Sequence, residues 1–317
     1  MLIKTEGLTK IYQNGFKAVN DLNLNVCQGD IFGFLGPNGA GKTTTIRMLD
    51  GLLTPTSGTV EINGMDIKTN TDKIKSLIGV VPESHGYYFW MTAEEYLKYF
   101  QALYNISSEH DEYISDLLRK VGLFEKKNVP IFQYSRGMKQ RLGIAKSLIN
   151  KPRIIFLDEP TLGLDPQGQR EIRQLLLDIN RNDNITIFIT SHLLKDIEVL
   201  CNKVCIVKNG IMIEQGTIKE LQNKYLKHCT LYINTSDNEK AFLSICDISE
   251  ISAIGFCDDR RIEIKLISGL DDSEIHEIKQ EIMSQLYHSG LSVDEMSVKA
   301  LSMEDIFFHV TESDEHE

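Results

Sequence analysis

Residues 33–45 read GFLGPNGAGKTTT. A short apolar run ends in glycine. A loop holding Gly36, Gly39 and Gly41 follows, and Lys42, Thr43 and Thr44 open a segment with helical spacing. The spacing G-x-x-x-x-G-K-[ST] between a strand and a helix is that of a loop that cradles phosphates. Glycines let successive backbone N–H groups curl toward one anion, and the positive end of the helix dipole adds to them. Pro37, Asn38 and Ala40 fill the loop between the glycines. Lys42 is placed to reach the outer phosphates of a nucleotide, the Thr43 hydroxyl to bind Mg2+, and Thr44 to add a phosphate contact. A plain glycine-rich turn with an exposed lysine would not need a strand before it and a helix after it.

Residues 154–166, IIFLDEPTLGLDP, run four large apolar residues straight into Asp158 and Glu159. A buried strand ending in two carboxylates is costly unless positive charge faces them. A Mg2+-nucleotide held by the loop supplies it. Asp158 is expected on the metal, through water. Glu159, one residue on, points differently and is expected to polarise a water attacking the terminal phosphate.

Outward from these two stretches, strand-like and helix-like segments alternate. ITIFITS (185–191) is another continuous apolar run of the kind buried on both faces, and PQGQREIRQLLLDINR (166–181) is an amphipathic helix opened by proline. The order predicts an α/β fold around a mostly parallel sheet. CIVKNGIMIEQG (205–216) reads as a hairpin turning at Asn209-Gly210. About 85–150 reads as a helical insertion, with amphipathic helices at 93–105 and 111–124. After 227 the pattern restarts as β-α-β-β-α-β, the order of a small ferredoxin-like α+β domain.

Charge supports a division into 1–226 and 227–317. The latter carries 7 Lys/Arg against 20 Asp/Glu, the former 27 against 25. An acidic C-terminal part argues against nucleic acid as its partner. A length of 317 residues suits two domains. No run approaches 18 apolar residues, so no membrane span is expected. The opening MLIKTEGLTK has no apolar signal core, and the six cysteines form no CxxC pair. Together these predict a cytosolic chain with reduced thiols.

A guanine-nucleotide switch would carry Asn-Lys-x-Asp; the pairs Asn150-Lys151, Asn202-Lys203 and Asn223-Lys224 all lack the aspartate. The loop alone leaves adenylate-type kinases open. Three further stretches decide: YSRGMKQ (134–140) at a helix start, LGLD (162–165), and ITSHLL (189–194) with His192 at a strand end. With them the sequence resembles the ATP-binding cassette (ABC) ATPases over about 1–220. The resemblance implies a P-loop NTPase fold of the ABC nucleotide-binding type with a helical subdomain, and ATP with Mg2+ as ligands. GPNGAGKTT is its Walker A loop, IIFLDE its Walker B strand, and LGLD its D-loop. Tyr12 matches the aromatic that stacks on adenine. Glu83 falls at the Q-loop position, near metal and nucleotide, where the family usually has Gln. YSRGMKQ matches the signature commonest as Leu-Ser-Gly-Gly-Gln. Ser135 and Gly137 are retained, Arg136 adds positive charge, and Met138 follows. His192 is placed by the resemblance on the γ-phosphate and attacking water. A signature on the helical insertion does not reach its own phosphate loop. The family pairs two copies head to tail around two nucleotides, with Asp165 bridging to the partner's loop.

Tyr87, Tyr88, Phe89 and Trp90 follow the Q-loop position, where family transporters receive a helix of the membrane subunit. Packing against the core accounts for at least two of the four. SMEDIFFHVTE (302–312) resembles the closing helix of type-2 exporter ATPases, although Ile306, Phe307 and Val310 also fit an ordinary core face. The resemblance implies an ATPase subunit, cytoplasmic and peripheral on the inner face of the membrane, working with a second copy and a separate multi-span permease. A soluble ABC ATPase acting on ribosomes or nucleic acid is the alternative; its usual paired cassettes or long coiled coil are missing. A regulatory module without turnover would not need both Glu159 and His192.

Overall fold

The computed structural model describes residues 1–84, 86–106, 112–225, 230–257, 260–267, 270, 272–298 and 301–312. Its central sheet runs Ile211–Thr217, Lys203–Lys208, Ile31–Leu35, Thr186–Ser191, Ile154–Asp158, Ile78–Val81. All neighbours are parallel except the first pair, the hairpin. Every residue of 31–35, 154–158 and 186–191 is buried, as their unbroken apolar runs require in a sheet covered on both faces. Phe188 lies at its centre, 5.4–5.5 Å between ring centroids from Phe32, Phe34 and Phe156. The hairpin turns at Asn209 (φ 53°) and Gly210 (φ 78°), both left-handed as a type I′ turn demands.

The register sets the site. Leu35 pairs with Ser191, and Asp158 with Thr190, so the phosphate loop, the two acids and His192 all leave the same edge of the sheet. That edge, outside the carboxyl ends of parallel strands, is where such sheets bind ligands.

A second, antiparallel sheet joins Ile3–Ile11, Lys17–Leu22, Asn25–Val26, Ser57–Ile62 and Met65–Asp66. No regular pattern in the sequence announces it. Its strands are half-buried and irregular, with register shifts in the pairings of 3–11 with 17–22 and with 57–62, so no clean alternation survives to be read.

The insertion is helical as predicted, with helices Ala93–Leu103, Glu112–Lys120 and Arg136–Leu148. The first is opened by a capping box in which Thr92 and Glu95 satisfy each other's backbone N–H groups.

The chain forms two compact units, one of residues 1–218 with 307–317, the other of 219–306. The boundary read between 226 and 227 lies outside the described residues. Within the second unit, strands Thr230–Thr235, Ile251–Phe256, Ile262–Leu266 and Val293–Val298 pair in the order second-third-first-fourth, all antiparallel. Helices Asn238–Ile245 and Asp272–His288 fill the predicted places, giving the ferredoxin-like arrangement around Leu231, Ile233, Ile264 and Ile282. In the closing helix Met303–Glu312, Ile306 and Val310 are buried and Phe307 half-buried. Among the described residues no helix is long and apolar enough to cross a membrane.

Candidate nucleotide site

The phosphate loop is pressed onto neighbouring backbone. A Cβ on Gly36 would stand 2.5 Å from the Val207 carbonyl oxygen. One on Gly41, at φ 97°, would stand 2.3 Å from that of Ala18. Only glycine fits either place. Helix Lys42–Leu49 starts directly after Gly41, so its free N–H groups open into the loop. Lys42 is buried and folds back, its Nζ donating to the carbonyls of Gly36 (2.8 Å) and Pro37 (3.2 Å). The Ala40 N–H closes the loop onto Pro37 O at 3.1 Å.

Asp158 is buried with both oxygens engaged. Oδ2 accepts from the Thr43 hydroxyl at 3.0 Å and Oδ1 from the Thr190 hydroxyl at 2.6 Å. The structure thus bonds two of the three predicted metal ligands, Thr43 and Asp158, to each other, leaves the third, Glu83, in the same cleft wall, and adds Thr190, which has no motif of its own. The signal was present: Thr190 stands opposite Asp158 on the adjoining strand.

Glu159 has φ 51°, a left-handed conformation that costs a residue with a Cβ roughly 1–2 kcal/mol. It turns the chain at the strand end and directs the second carboxylate away from the first. Glu159 Oε2 accepts from His192 Nδ1 at 2.8 Å and from the His192 N–H at 3.3 Å. Burial raises the Glu159 pKa above the ordinary carboxylate value; His192, then Lys42, partly offset it.

A cleft of ≈ 620 Å³ gathers these groups: Lys42, Thr43 and Thr44 on one side, Asp158, Glu159 and His192 on the other. Asn38, Gly39 and Glu83 complete the polar wall. Phe16, exposed over 55% of its surface, supplies an aromatic wall that the sequence analysis did not name. Tyr12 stands beside it, its hydroxyl 3.2 Å from Thr44 Oγ1 and Lys10 Nζ 5.8 Å from its ring centroid.

Ser135, Arg136, Gly137, Met138 and Asp165 line a different cavity, of ≈ 420 Å³. Ser135 caps its helix, accepting from the Met138 N–H at 3.2 Å, and Asp165 caps the next, accepting from the Gly168 N–H at 3.2 Å. Each therefore has a local structural duty, and each leaves a helix N-terminus open to an anion.

A glycine-built anion cradle at a helix N-terminus, facing an acid-tipped parallel strand, defines a phosphate-loop nucleoside triphosphatase. The ABC transporter family model matches residues 19–162. The chain is 45% identical over 240 residues to the bacitracin transport ATP-binding protein BcrA of Bacillus licheniformis, covering 76% of this chain and 77% of that one. It is 34% identical over 310 residues to an uncharacterised ABC transporter ATP-binding protein, YxlF, of Bacillus subtilis (strain 168), covering 98% and 99% of the two chains. The fold matches the dimeric post-hydrolysis structure of the ATP-binding cassette MJ0796 bound to ADP and Pi. The TM-score is 0.63 at 26% identity, over 68% of this chain and 99% of that one. The chain belongs to the ABC transporter family, as an ATP-binding and ATP-hydrolysing subunit.

Proposed function

We propose that two copies of this chain close head to tail on two ATP molecules and thereby drive a separate multi-span permease at the inner face of the membrane, as an exporter. The observation that carries this is the separation of two anion-receptive cavities in one chain. The Walker A cleft and the Ser135–Gly137 cavity have no lining residue in common. A second copy, turned head to tail, brings one against the other. The dimeric MJ0796 structure supports the pairing. The BcrA relative is named for bacitracin transport, and an antibiotic is the cargo class we assign.

Thr43 Oγ1 and Asp158 offer hard oxygens that suit Mg2+, with Glu83 in the same wall. Bound there, Mg2+ would be held by Thr43 and Asp158 together with oxygens of the nucleotide and water. When bound, Mg2+ draws charge from the β- and γ-phosphates. Lys42 leaves its loop carbonyls for the phosphates, and the loop N–H groups hold the anion in line. Glu159 takes a proton from the attacking water, held in place by His192. The exposed aromatics Phe89 and Trp90 offer anchors to the permease, whereas Tyr87 is buried.

Light scattering on the Glu159→Gln variant tests the pairing. With saturating ATP the mass is expected to double, and adding Ser135→Arg is expected to keep the protein monomeric. A monomer under the first condition, or a dimer under the second, overturns the reading.

A further inference from the structure

A third, smaller cavity of ≈ 210 Å³ lies between the nucleotide cleft and the signature helix Arg136–Leu148. Two carboxylates, Glu83 and Glu159, and two cations, Arg136 and Lys139, line it. Both acids also line the nucleotide cleft, so each faces both ways.

The two cations are not equivalent. Lys139 is engaged, with Nζ 5.3 Å from the Phe89 ring centroid. Its carbonyl accepts from the Tyr87 hydroxyl, at 2.5 Å, and Tyr87 is buried. These contacts tie the segment after Glu83 to the first turn of the signature helix and set Glu83 and Arg136 on one cavity. Arg136 is the free cation. Its guanidinium lies over Gly163, φ 68°, so close that a Cβ there would meet Cζ at 2.5 Å, and it has no ion-pair or hydrogen-bond partner among the described residues. A long side chain resting on a glycine, with five donors unused, goes to whichever carboxylate of the cavity attracts it.

Glu159 is vulnerable to that attraction. His192 holds its Oε2, while Oε1 has no partner among the described residues. A guanidinium on that oxygen would occupy the place of the attacking water and weaken the carboxylate as a proton acceptor.

We propose that Glu83 is a positioning residue that draws the Arg136 guanidinium to itself and so keeps it off Glu159. The inference rests on the role proposed above for Glu159, and a glutamine at position 83 lacks the charge to do this.

A double-mutant cycle tests it. ATP turnover at saturation is measured for wild type, Glu83→Gln, Arg136→Gln and the pair, with ADP affinity by calorimetry for each. Glu83→Gln is expected to lower kcat at least tenfold, with ADP affinity held within about threefold. On the Arg136→Gln background, Glu83→Gln is expected to cost kcat at least fivefold less than it does in the wild type, because no guanidinium remains to stray and only the direct loss from the metal wall is left. An equal loss on both backgrounds, or no loss from Glu83→Gln in the wild type, overturns the proposal. Retained turnover in Glu159→Gln would instead overturn the role of Glu159 itself.

Discussion

His192 Nδ1 lies 2.8 Å from Glu159 Oε2, with the histidine side chain 44% exposed and the glutamate 10%. The exposed partner at the rim fixes the buried one. With Glu159 ionised, Nδ1 carries the proton of this bond. His192→Ala should lower kcat by about a hundredfold, within the range of a misplaced general base, and change ADP affinity little. Steady-state turnover and calorimetry check this. A parallel loss of nucleotide binding would show instead that the histidine holds the cleft together.

Phe16 walls the cleft, and Tyr12 hydrogen-bonds Thr44 beside it. Stacking on a base is worth about 1–3 kcal/mol and tolerates any base. Phe16→Ala should therefore weaken ATP and GTP alike, by roughly tenfold. Tyr12→Phe, which removes only the hydroxyl, should matter less than Tyr12→Ala. Titration with both nucleotides separates the two aromatics: a large effect of Tyr12→Ala with none of Phe16→Ala would return the stacking role to Tyr12.

Asp50 is 3% exposed at the end of the helix that begins at the phosphate loop, and Oδ1 accepts from the Leu52 N–H at 2.9 Å. Burial pushes its pKa up from 3.8 to about 6, against the opposing pull of the Leu52 bond, Arg47 and Lys75. A folded pKa above the unfolded one means that this group favours the folded state below pH 3.8 and loses that contribution as pH rises through 6. Asp50→Asn keeps the acceptor without the charge. It should stabilise the protein at pH 7.5 by on the order of 1–3 kcal/mol, with the gain vanishing below about pH 4. Urea unfolding at the two pH values measures it; an equal gain at both would remove ionisation as the cause.

The parallel core was legible because strands buried on both faces leave unbroken apolar runs such as IIFL and ITIFI, and the phosphate loop because its glycines sit at fixed spacing. The antiparallel N-terminal sheet was not, since half-buried strands with bulges carry no regular period. Within the site, Lys42, Thr43, Asp158 and Glu159 could be placed by motif. Thr190 could not, because its role depends on strand register, nor Phe16, whose exposure in the YQNGF turn is a tertiary fact. The left-handed backbone at Glu159 has no sequence signal at all: nothing in the residue type favours φ 51°.

The most direct test of the hydrolytic account is the turnover of Glu159→Gln compared with its ATP binding. The substitution removes the carboxylate proposed to accept the proton and leaves Lys42, Thr43 and Asp158 in place. ATP affinity should stay within a few-fold of wild type while kcat falls by about a hundredfold or more. Hydrolysis at the wild-type rate by a variant that binds ATP normally would contradict the assignment of Glu159, and with it the mechanism built on this cleft.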